Sequence, residues 1–240
     1  MNTERKEISV VIPVFNEEKN LFPLYERLIS VLNSLNKDYE IIFVDDGSRD
    51  KSLAVIREIK KINPRIKIIK FKRNYGQTFA LDAGFRNAKG KIIITMDADL
   101  QNDPEDIPKL LKELETSDVV CGWRRKRKDP IFKKFSSSLA NSVRRFILKD
   151  EILDIGCTLR AYRREALEKI KLFNGMHRFL PLLIEYEGFK VKQIEVKHHP
   201  RFSGKSKYAF HRRLVKPFLD LWIVFWMKKN WLRYEYEYID

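Results

Sequence analysis

The segment Asp97-Ala98-Asp99-Leu100-Gln101 carries two carboxylates and an amide at alternate positions. In an extended chain this spacing directs all three polar side chains to one face. Mg²⁺ and Mn²⁺ are hard cations that prefer oxygen ligands, and a cation held this way can bind a diphosphate. We therefore predict a metal site at Asp97, Asp99 and Gln101. The alternative explanation is an acidic turn that only caps the next helix.

A strand and a helix must position this segment. The apolar run 91–96 precedes it, and Asp103-Pro104 is typical of a helix start. Further strands are predicted at 8–12, 40–44, 66–71, 119–123, 159–162 and 191–196, and helices at 17–35, 53–62, 77–88 and 107–114. This alternation predicts an α/β fold with a mostly parallel sheet and helices on both faces.

Polar residues gather at the ends of the predicted strands, where ligands bind in open parallel sheets. The residues that follow four strands are Phe15, Asn16 and Glu17, then Asp45 and Asp46, then Asp97, Asp99 and Gln101, and finally Arg124. Solvated loops would explain polar strand ends in general. They do not explain acids at successive strand ends in a chain that is strongly basic overall.

The composition narrows the class of partner. The chain has 240 residues and a formal net charge of +15, which favours nucleic acid, an anionic lipid surface or a phosphorylated substrate. Its two cysteines, Cys121 and Cys157, make no disulfide framework and indicate a reducing compartment. We expect no secretory signal, and the apolar run Phe218 to Met227 is too short to span a bilayer.

Two segments have the character of surface-binding helices. Residues 124–145 combine a cationic run with an apolar stripe, which fits either a membrane-surface helix or a core-facing helix with a solvated back. We divide the chain into a catalytic domain at 1–207 and an amphipathic C-terminal helix and tail at 208–240. The predicted apolar stripe of that helix consists of Phe210, Leu214, Phe218, Leu221, Trp222 and Phe225. Trp222, Trp226 and Trp231 with flanking cations predict an interfacial anchor, and packing on the domain or an oligomer contact is the alternative.

The loop 201–208 places Arg201, Lys205 and Lys207 beside Gly204, a composition suited to phosphate binding. The loop lacks the spacing of a Walker P-loop. The preceding pair His198-His199 has no partner ligands at suitable spacing, so we predict no metal site there.

Seven motifs together resemble those of a known family. They occur at 11–18 (VIPVFNEE), 42–48 (IFVDDGS), 74–77 (NYGQ), 96–101 (MDADLQ), 122–124 (GWR), 159–163 (LRAYR) and 201–208 (RFSGKSKY). The chain resembles the inverting GT-A glycosyltransferases of family 2, and among them the polyprenyl-phosphate hexosyltransferases that act on dolichol- or undecaprenyl-phosphate. The resemblance implies the GT-A (Rossmann-like) fold. The sequence departs from the family pattern at 156–160 and at 177–181.

The resemblance also implies roles for residues at matching positions. The nucleotide-sugar site would comprise Pro13, Phe15, Glu17, Val44, Asp46, Asp97, Ala98 and Asp99. A Mg²⁺ or Mn²⁺ ion would bind Asp97, Asp99 and Gln101, and phosphates would bind Arg124, Arg201 and Lys207. The catalytic residues would be Asp97, Asp99 and Arg124.

The implied reaction moves a hexose from a GDP-mannose or UDP-glucose type of donor to a polyprenyl phosphate, with inversion. A phosphomonoester has a second pKa near 6 and is largely dianionic at neutral pH, so we assign no catalytic base. The implied location is peripheral, at the cytoplasmic face of the membrane. The expected partners are the donor, the lipid acceptor, an anionic membrane surface and a membrane protein.

Three alternatives remain. A family 2 enzyme with a hydroxyl acceptor would need a base, for which Glu185 and Glu187 are the candidates. A nucleotide-sugar pyrophosphorylase would need a Gly-rich loop after Ile12, where the sequence has none. A basic nucleic-acid-binding module would leave the strand-end acids without a use. Its basic residues also lack an interleaved aromatic stacking platform, so no nucleic-acid partner is expected.

Overall fold

The computed structural model describes residues 6–125, 142–200 and 215–231, with side chains in the last range from residue 219. Its strands are β1 Ile8–Val14, β2 Tyr39–Asp45, β3 Ile66–Lys70, β4 Ile92–Thr95, β5 Val119–Trp123, β6 Arg160–Arg163 and β7 Val191–Glu195. Its helices are α1 Leu21–Ser34, α2 Ser52–Ile62, α3 Gln77–Asn87, α4 Ile107–Glu113, α5 at 142–148, α6 Arg164–Glu168, α7 Leu180–Tyr186 and α8 Val215–Asn230. Two 3₁₀ turns occur at Pro104–Asp106 and Met176–Arg178.

The strands form one sheet of seven in the order β3-β2-β1-β4-β6-β5-β7. The first four are parallel, β6 is antiparallel to both of its neighbours, and β7 is parallel to β5. The predicted α/β fold with a mostly parallel sheet is therefore confirmed. Strand β1 runs on through Pro13, which is paired with Val44, and so is longer than predicted.

Both faces of the sheet are covered. Central strands β1 and β2 are buried almost throughout, which explains their continuous apolar sequence. Helix α3 lies close against β1 because Gly84 has no side chain, and a Cβ there would overlap Val11 Cγ1.

The C-terminal helix α8 has apolar residues on two faces. Leu221 and Val224 are buried in a cluster with residues of α5 and α7, which include Leu148, Leu182 and Leu183. From residue 219 onward, the exposed apolar side chains of α8 are Leu219, Trp222, Ile223 and Trp226. The predicted stripe is thus divided, because Leu221 faces the domain and Trp222 is half exposed. Trp231 packs on Tyr186 of α7 with ring centroids 5.6 Å apart, and is not part of the exposed surface.

Several predictions concern residues outside the described ranges. They include the segment 126–141, the phosphate-binding residues Arg201 and Lys207, and the stripe residues Phe210 and Leu214. In the described part of the chain, no helix is long and apolar enough to cross a membrane.

Candidate active site

The acid loop after β4, residues 97–102, forms the centre of the site. Asn102 Oδ1 accepts a hydrogen bond from the Asp97 amide at 3.1 Å and one from the Thr158 hydroxyl at 3.0 Å. Asp99 Oδ1 accepts from the Gln101 amide at 3.1 Å. Leu100 closes the turn with a φ of 62°. These contacts fix the backbone, so Asp97 and Asp99 are held on a short, ordered loop at the carboxyl end of β4.

Helix α3 contributes to the acid loop a side chain for which the sequence predicted no role. Gln77, the first residue of α3, donates from Nε2 to Asp97 Oδ1 at 2.9 Å. This hydrogen bond orients the Asp97 carboxylate from a neighbouring element. The motif at 74–77 includes Gln77, but nothing in the sequence identified Asp97 as its hydrogen-bond partner.

Asp46 shapes the adjacent wall of the site. Its carboxylate accepts from the Tyr75 amide at 2.7 Å, the Gly76 amide at 2.8 Å and Asn74 Nδ2 at 2.9 Å. Burial raises the pKa of Asp46, an effect that the two amides oppose and Asp45 reinforces. The predicted nucleotide-binding residue Asp46 therefore joins the end of β2 to the loop that leads into Gln77.

The end of β1 is tied to the end of β2. The Asn16 amide donates to Ser48 Oγ at 3.0 Å, and the Glu17 amide donates to Ser52 Oγ at 2.8 Å. Glu17 is 9% exposed, and Pro13 and Phe15 are partly buried. Val44 is different. Its side chain is fully buried among core residues such as Ala80 of α3, so its predicted role in the nucleotide-sugar site would depend on its backbone.

Arg124 at the end of β5 forms a two-pronged ion pair with Asp154. Arg124 Nε lies 2.7 Å from Asp154 Oδ2, and Nη2 lies 3.0 Å from Oδ1. Burial disfavours the charged guanidinium, but Asp154 outweighs burial and raises the pKa of Arg124, with a further contribution from Asp97. The predicted phosphate-binding cation is therefore electrostatically coupled to the acid loop and oriented by a carboxylate.

The chain that leads into the predicted phosphate loop lies against the acid loop. His198 forms an isolated bridge with Asn102, and His199 Nε2 lies 2.9 Å from Asp103 Oδ2. Burial would raise the pKa of Asp103, but His199 and nearby groups outweigh it and hold that pKa below its usual value. His198 and His199 therefore lie beside the acid loop.

The donor set at this edge fits a hard cation. Asp97, Asp99 and Gln101 offer only oxygen ligands from side chains, as Mg²⁺ and Mn²⁺ require. Among the described residues there is no group of three or more His, Cys, Asp or Glu side chains that could hold a metal. A cation here would take its other ligands from a bound diphosphate and water.

The comparisons with known proteins agree with this architecture. Residues 9–171 match the family model for glycosyl transferase family 2. The chain belongs to this family. It is therefore a glycosyltransferase, and the family assignment made from its motifs is confirmed.

Two curated relatives of this glycosyltransferase have names that contain a polyprenyl phosphate. It is 39% identical over 229 residues to the dodecaprenyl-phosphate galacturonate synthase of Rhizobium johnstonii, covering 92% of this chain and 68% of the relative. It is 41% identical over 218 residues to the undecaprenyl-phosphate 4-deoxy-4-formamido-L-arabinose transferase of Photorhabdus laumondii, covering 90% of this chain and 67% of the relative. The chain thus spans about two thirds of the length of these relatives.

Solved structures with the same fold contain nucleotide sugars. Glucosyl-3-phosphoglycerate synthase from Mycobacterium tuberculosis, in complex with Mn²⁺ and UDP-glucose, matches with a TM-score of 0.66 at 21% identity, covering 90% of this chain and 79% of that one. A mannosyltransferase from Pyrobaculum calidifontis in complex with GDP-Man and Mn²⁺ matches with a TM-score of 0.61 at 20% identity, covering 88% of this chain and 60% of that one. These likenesses confirm the GT-A fold.

Proposed function

We propose that this glycosyltransferase moves a sugar from a nucleotide-diphosphate sugar to a polyprenyl phosphate, with inversion, at the cytoplasmic face of a membrane. One observation carries the proposal. The Asp97–Asp99 loop, oriented by Gln77 and coupled to Arg124, lies at the carboxyl edge of a GT-A sheet. The names of relatives about 40% identical to the chain, which contain dodecaprenyl phosphate and undecaprenyl phosphate, support the choice of acceptor.

On the donor side, Asp97, Asp99 and Gln101 would hold Mg²⁺ or Mn²⁺. When bound, the cation neutralises negative charge on the departing nucleoside diphosphate. Gln77 keeps the Asp97 carboxylate oriented, and Arg124 adds a fixed positive charge to the same edge. The Mn²⁺ in the complexes of the mannosyltransferase and of the glucosyl-3-phosphoglycerate synthase supports this assignment.

On the acceptor side, a phosphomonoester needs no base, because it is already largely dianionic at neutral pH. Carboxylates at this edge have structural partners: Asp46 holds the loop before α3, Asp154 holds Arg124, and Asp103 contacts His199. Because these carboxylates already have structural partners, they support an acceptor from which no base has to remove a proton.

A hydroxyl acceptor is the second candidate. Burial, with contributions from Asp150 and Glu151, raises the pKa of Glu185 to about 7, a value suited to a general base. The groups that set this pKa lie between β6 and α5 and on α8, however, and do not include the acid loop. The phosphate acceptor is therefore the better supported of the two.

Exposed apolar residues and cations suggest how the enzyme reaches a lipid. Phe146 of α5 is 86% exposed, and Trp226 and Trp222 of α8 are 65% and 49% exposed. A cleft of about 580 Å³ lies between these helices and is lined by Arg145, Phe146, Ile147, Lys149, Trp222 and Phe225. Aromatic residues with adjacent cations suit an anionic membrane surface. We propose that the enzyme attaches peripherally to the membrane through this surface of α5 and α8. Binding of a membrane protein to the same surface is the alternative to test.

A donor screen tests the proposed function. The full chain is incubated with UDP- and GDP-sugars, undecaprenyl or dolichyl phosphate and Mg²⁺ or Mn²⁺, and labelled lipid is extracted. The set includes mannose and glucose donors, and also uronic-acid and aminopentose donors because of the names of the relatives. We expect a labelled lipid product with at least one donor. No labelled lipid with any donor, together with transfer to a hydroxyl acceptor, would contradict the proposal.

A further inference from the structure

The turn Gly175–Arg178, which precedes α7, is anchored beside the acid loop. The Gly175 amide donates to Thr78 Oγ1 at 3.0 Å, and His177 Nδ1 lies 2.7 Å from the same hydroxyl oxygen. Thr78 is buried and directly follows Gln77, the residue that orients Asp97. The turn is therefore held one residue away from the side chain that contacts the predicted metal ligand.

The backbone of Gly175 fits tightly at the start of this turn. Its φ is +98°, and a Cβ at this position would lie 2.5 Å from Oδ2 of Asp220 on α8. Helix α8, which presents the exposed tryptophans, therefore contacts the same turn. The turn lies between the proposed membrane-facing helix and the acid loop.

Arg160, at the start of β6, also holds the turn through backbone carbonyl oxygens. Its terminal nitrogens donate to the carbonyl oxygens of Ile155 at 2.6 Å, His177 at 3.1 Å and Arg178 at 3.5 Å. Arg160 is 4% exposed, yet no carboxylate in the described part of the chain forms an ion pair with it. A buried cation without a counter-ion is costly, and it makes the surroundings favourable for an anion.

Arg178 is the last residue of this turn, and its backbone carbonyl is held by Arg160. Its side chain is partly buried, and across the described ranges its guanidinium forms no hydrogen bond or ion pair. Two other arginines near this edge, Arg124 and Arg144, are each paired with an aspartate. Arg178 is thus different from them, since its backbone is fixed and its charge is uncompensated.

We propose that the turn 175–178 is the subsite for the phosphate of the acceptor, with Arg178 donating to the phosphate oxygens and Arg160 and Thr78 as positioning residues. This inference rests on the proposed function, because it names where the acceptor of that reaction binds. In the transfer, a phosphate oxygen forms a bond to the anomeric carbon while the bond from that carbon to the diphosphate breaks. The electron pair leaves with the nucleoside diphosphate, and no proton changes place. Arg178 reduces the repulsion between the two anions as they approach.

The test compares Arg178→Gln and Arg178→Lys with Arg57→Gln in the full chain. Arg57 is an exposed arginine on α2 and serves as a control for loss of one surface charge. The acceptor is farnesyl phosphate, a short polyprenyl phosphate that dissolves without a bilayer, and KM is measured separately for donor and acceptor. We expect R178Q to raise the acceptor KM by about ten- to hundredfold with the donor KM within about twofold, as for loss of a charge-assisted hydrogen bond. R178K should recover part of the loss, and R57Q should match the wild type.

A second variant tests the turn without removing a charge. Thr78→Val deletes the hydroxyl that holds Gly175 and His177 and keeps the side-chain shape. We expect it to raise the acceptor KM more than the donor KM. These outcomes are judged with a wild type that makes the lipid product. An unchanged acceptor KM in both R178Q and T78V would then overturn the inference. Equal changes in the donor KM and the acceptor KM would also overturn it. Failure of the wild type to use any polyprenyl phosphate would instead overturn the proposed function.

Discussion

Gln77 donates its side-chain amide to the Asp97 carboxylate over 2.9 Å, which joins the start of α3 to the acid loop after β4. The loop is also fixed from within, since Asn102 accepts a hydrogen bond from the Asp97 amide. The backbone and the side chain of Asp97 are therefore held by different residues. This arrangement presents one carboxylate oxygen in a constant direction before any ligand binds.

Replacing Gln77 with alanine should loosen Asp97 without removing the carboxylate. We expect kcat/KM to fall about five- to tenfold, as for loss of one hydrogen bond of about 1 kcal/mol, and the Mn²⁺ concentration for half-maximal activity to rise. The measurement is a metal titration of initial rates. Asn87→Ala, which removes an exposed side-chain hydrogen bond from the other end of α3, is the control and should have no effect. An unchanged metal dependence in Q77A would argue against the orienting role.

Asp99→Asn should remove one anionic ligand while preserving the hydrogen bond to the Gln101 amide. We expect turnover to fall at least tenfold, with a thermal unfolding midpoint close to that of the wild type. Asp82→Asn, which removes a partly exposed carboxylate paired with Arg86, is the matched control. If chelated wild-type enzyme or D99N kept full activity, the metal assignment would be wrong.

Glu185 should make the stability of the protein depend on pH. Burial raises its pKa from 4.5 to about 7, so the folded state favours the neutral acid. The associated stability is complete below the unfolded pKa of 4.5 and is lost as the pH rises to about 7. Glu185→Gln should therefore increase the free energy of unfolding at pH 8 on the order of 1–2 kcal/mol, after allowance for solvent screening, and change it little at about pH 4. Urea unfolding at both pH values measures this, with Glu187→Gln as the control. An equal change at both pH values would contradict the assigned cause.

The same variant separates the two candidate acceptors. If the acceptor is a phosphate, E185Q should keep kcat within about twofold of the wild type, because no residue has to remove a proton. A hundredfold or larger loss of kcat, with a normal unfolding midpoint, would favour a hydroxyl acceptor and a base at Glu185.

The exposed tryptophans of α8 should contribute to membrane attachment. Truncation before α8 is a poor test because Leu221 and Val224 belong to the core, whereas Trp222 and Trp226 are half exposed or more. We expect the double variant Trp222→Ala, Trp226→Ala to bind anionic vesicles less tightly, and high salt to release only part of the wild type. Ile62→Ser, at an exposed apolar residue on α2, controls for loss of surface hydrophobicity. If equal fractions of the wild type and the double variant sediment with the vesicles, the tryptophans do not contribute to membrane attachment.

The sequence predicted the position of the site better than its internal contacts. The alternation of strands and helices predicted that Asp46, Asp97 and Arg124 lie at one sheet edge, because crossover helices make the strands that precede these residues run parallel. The partners of those residues lie far along the chain. Gln77 is 20 residues from Asp97, and Asp154 is 30 residues from Arg124, so their contacts depend on how helices and loops pack. The side chain of Val44 is buried because β2 is covered on both faces, and the role of Val44 in the nucleotide-sugar site stays a prediction.

Transfer to a lipid phosphate with inversion is tested most directly by two acceptors that differ only in the phosphate, undecaprenyl phosphate and undecaprenol. Both are supplied in the same detergent with the donor found in the screen, and the lipid product is analysed for its mass and anomeric configuration. We expect a glycosyl phosphodiester of inverted configuration from undecaprenyl phosphate and no product from undecaprenol. Equal transfer to undecaprenol, or a product that retains the configuration of the donor, would contradict this expectation.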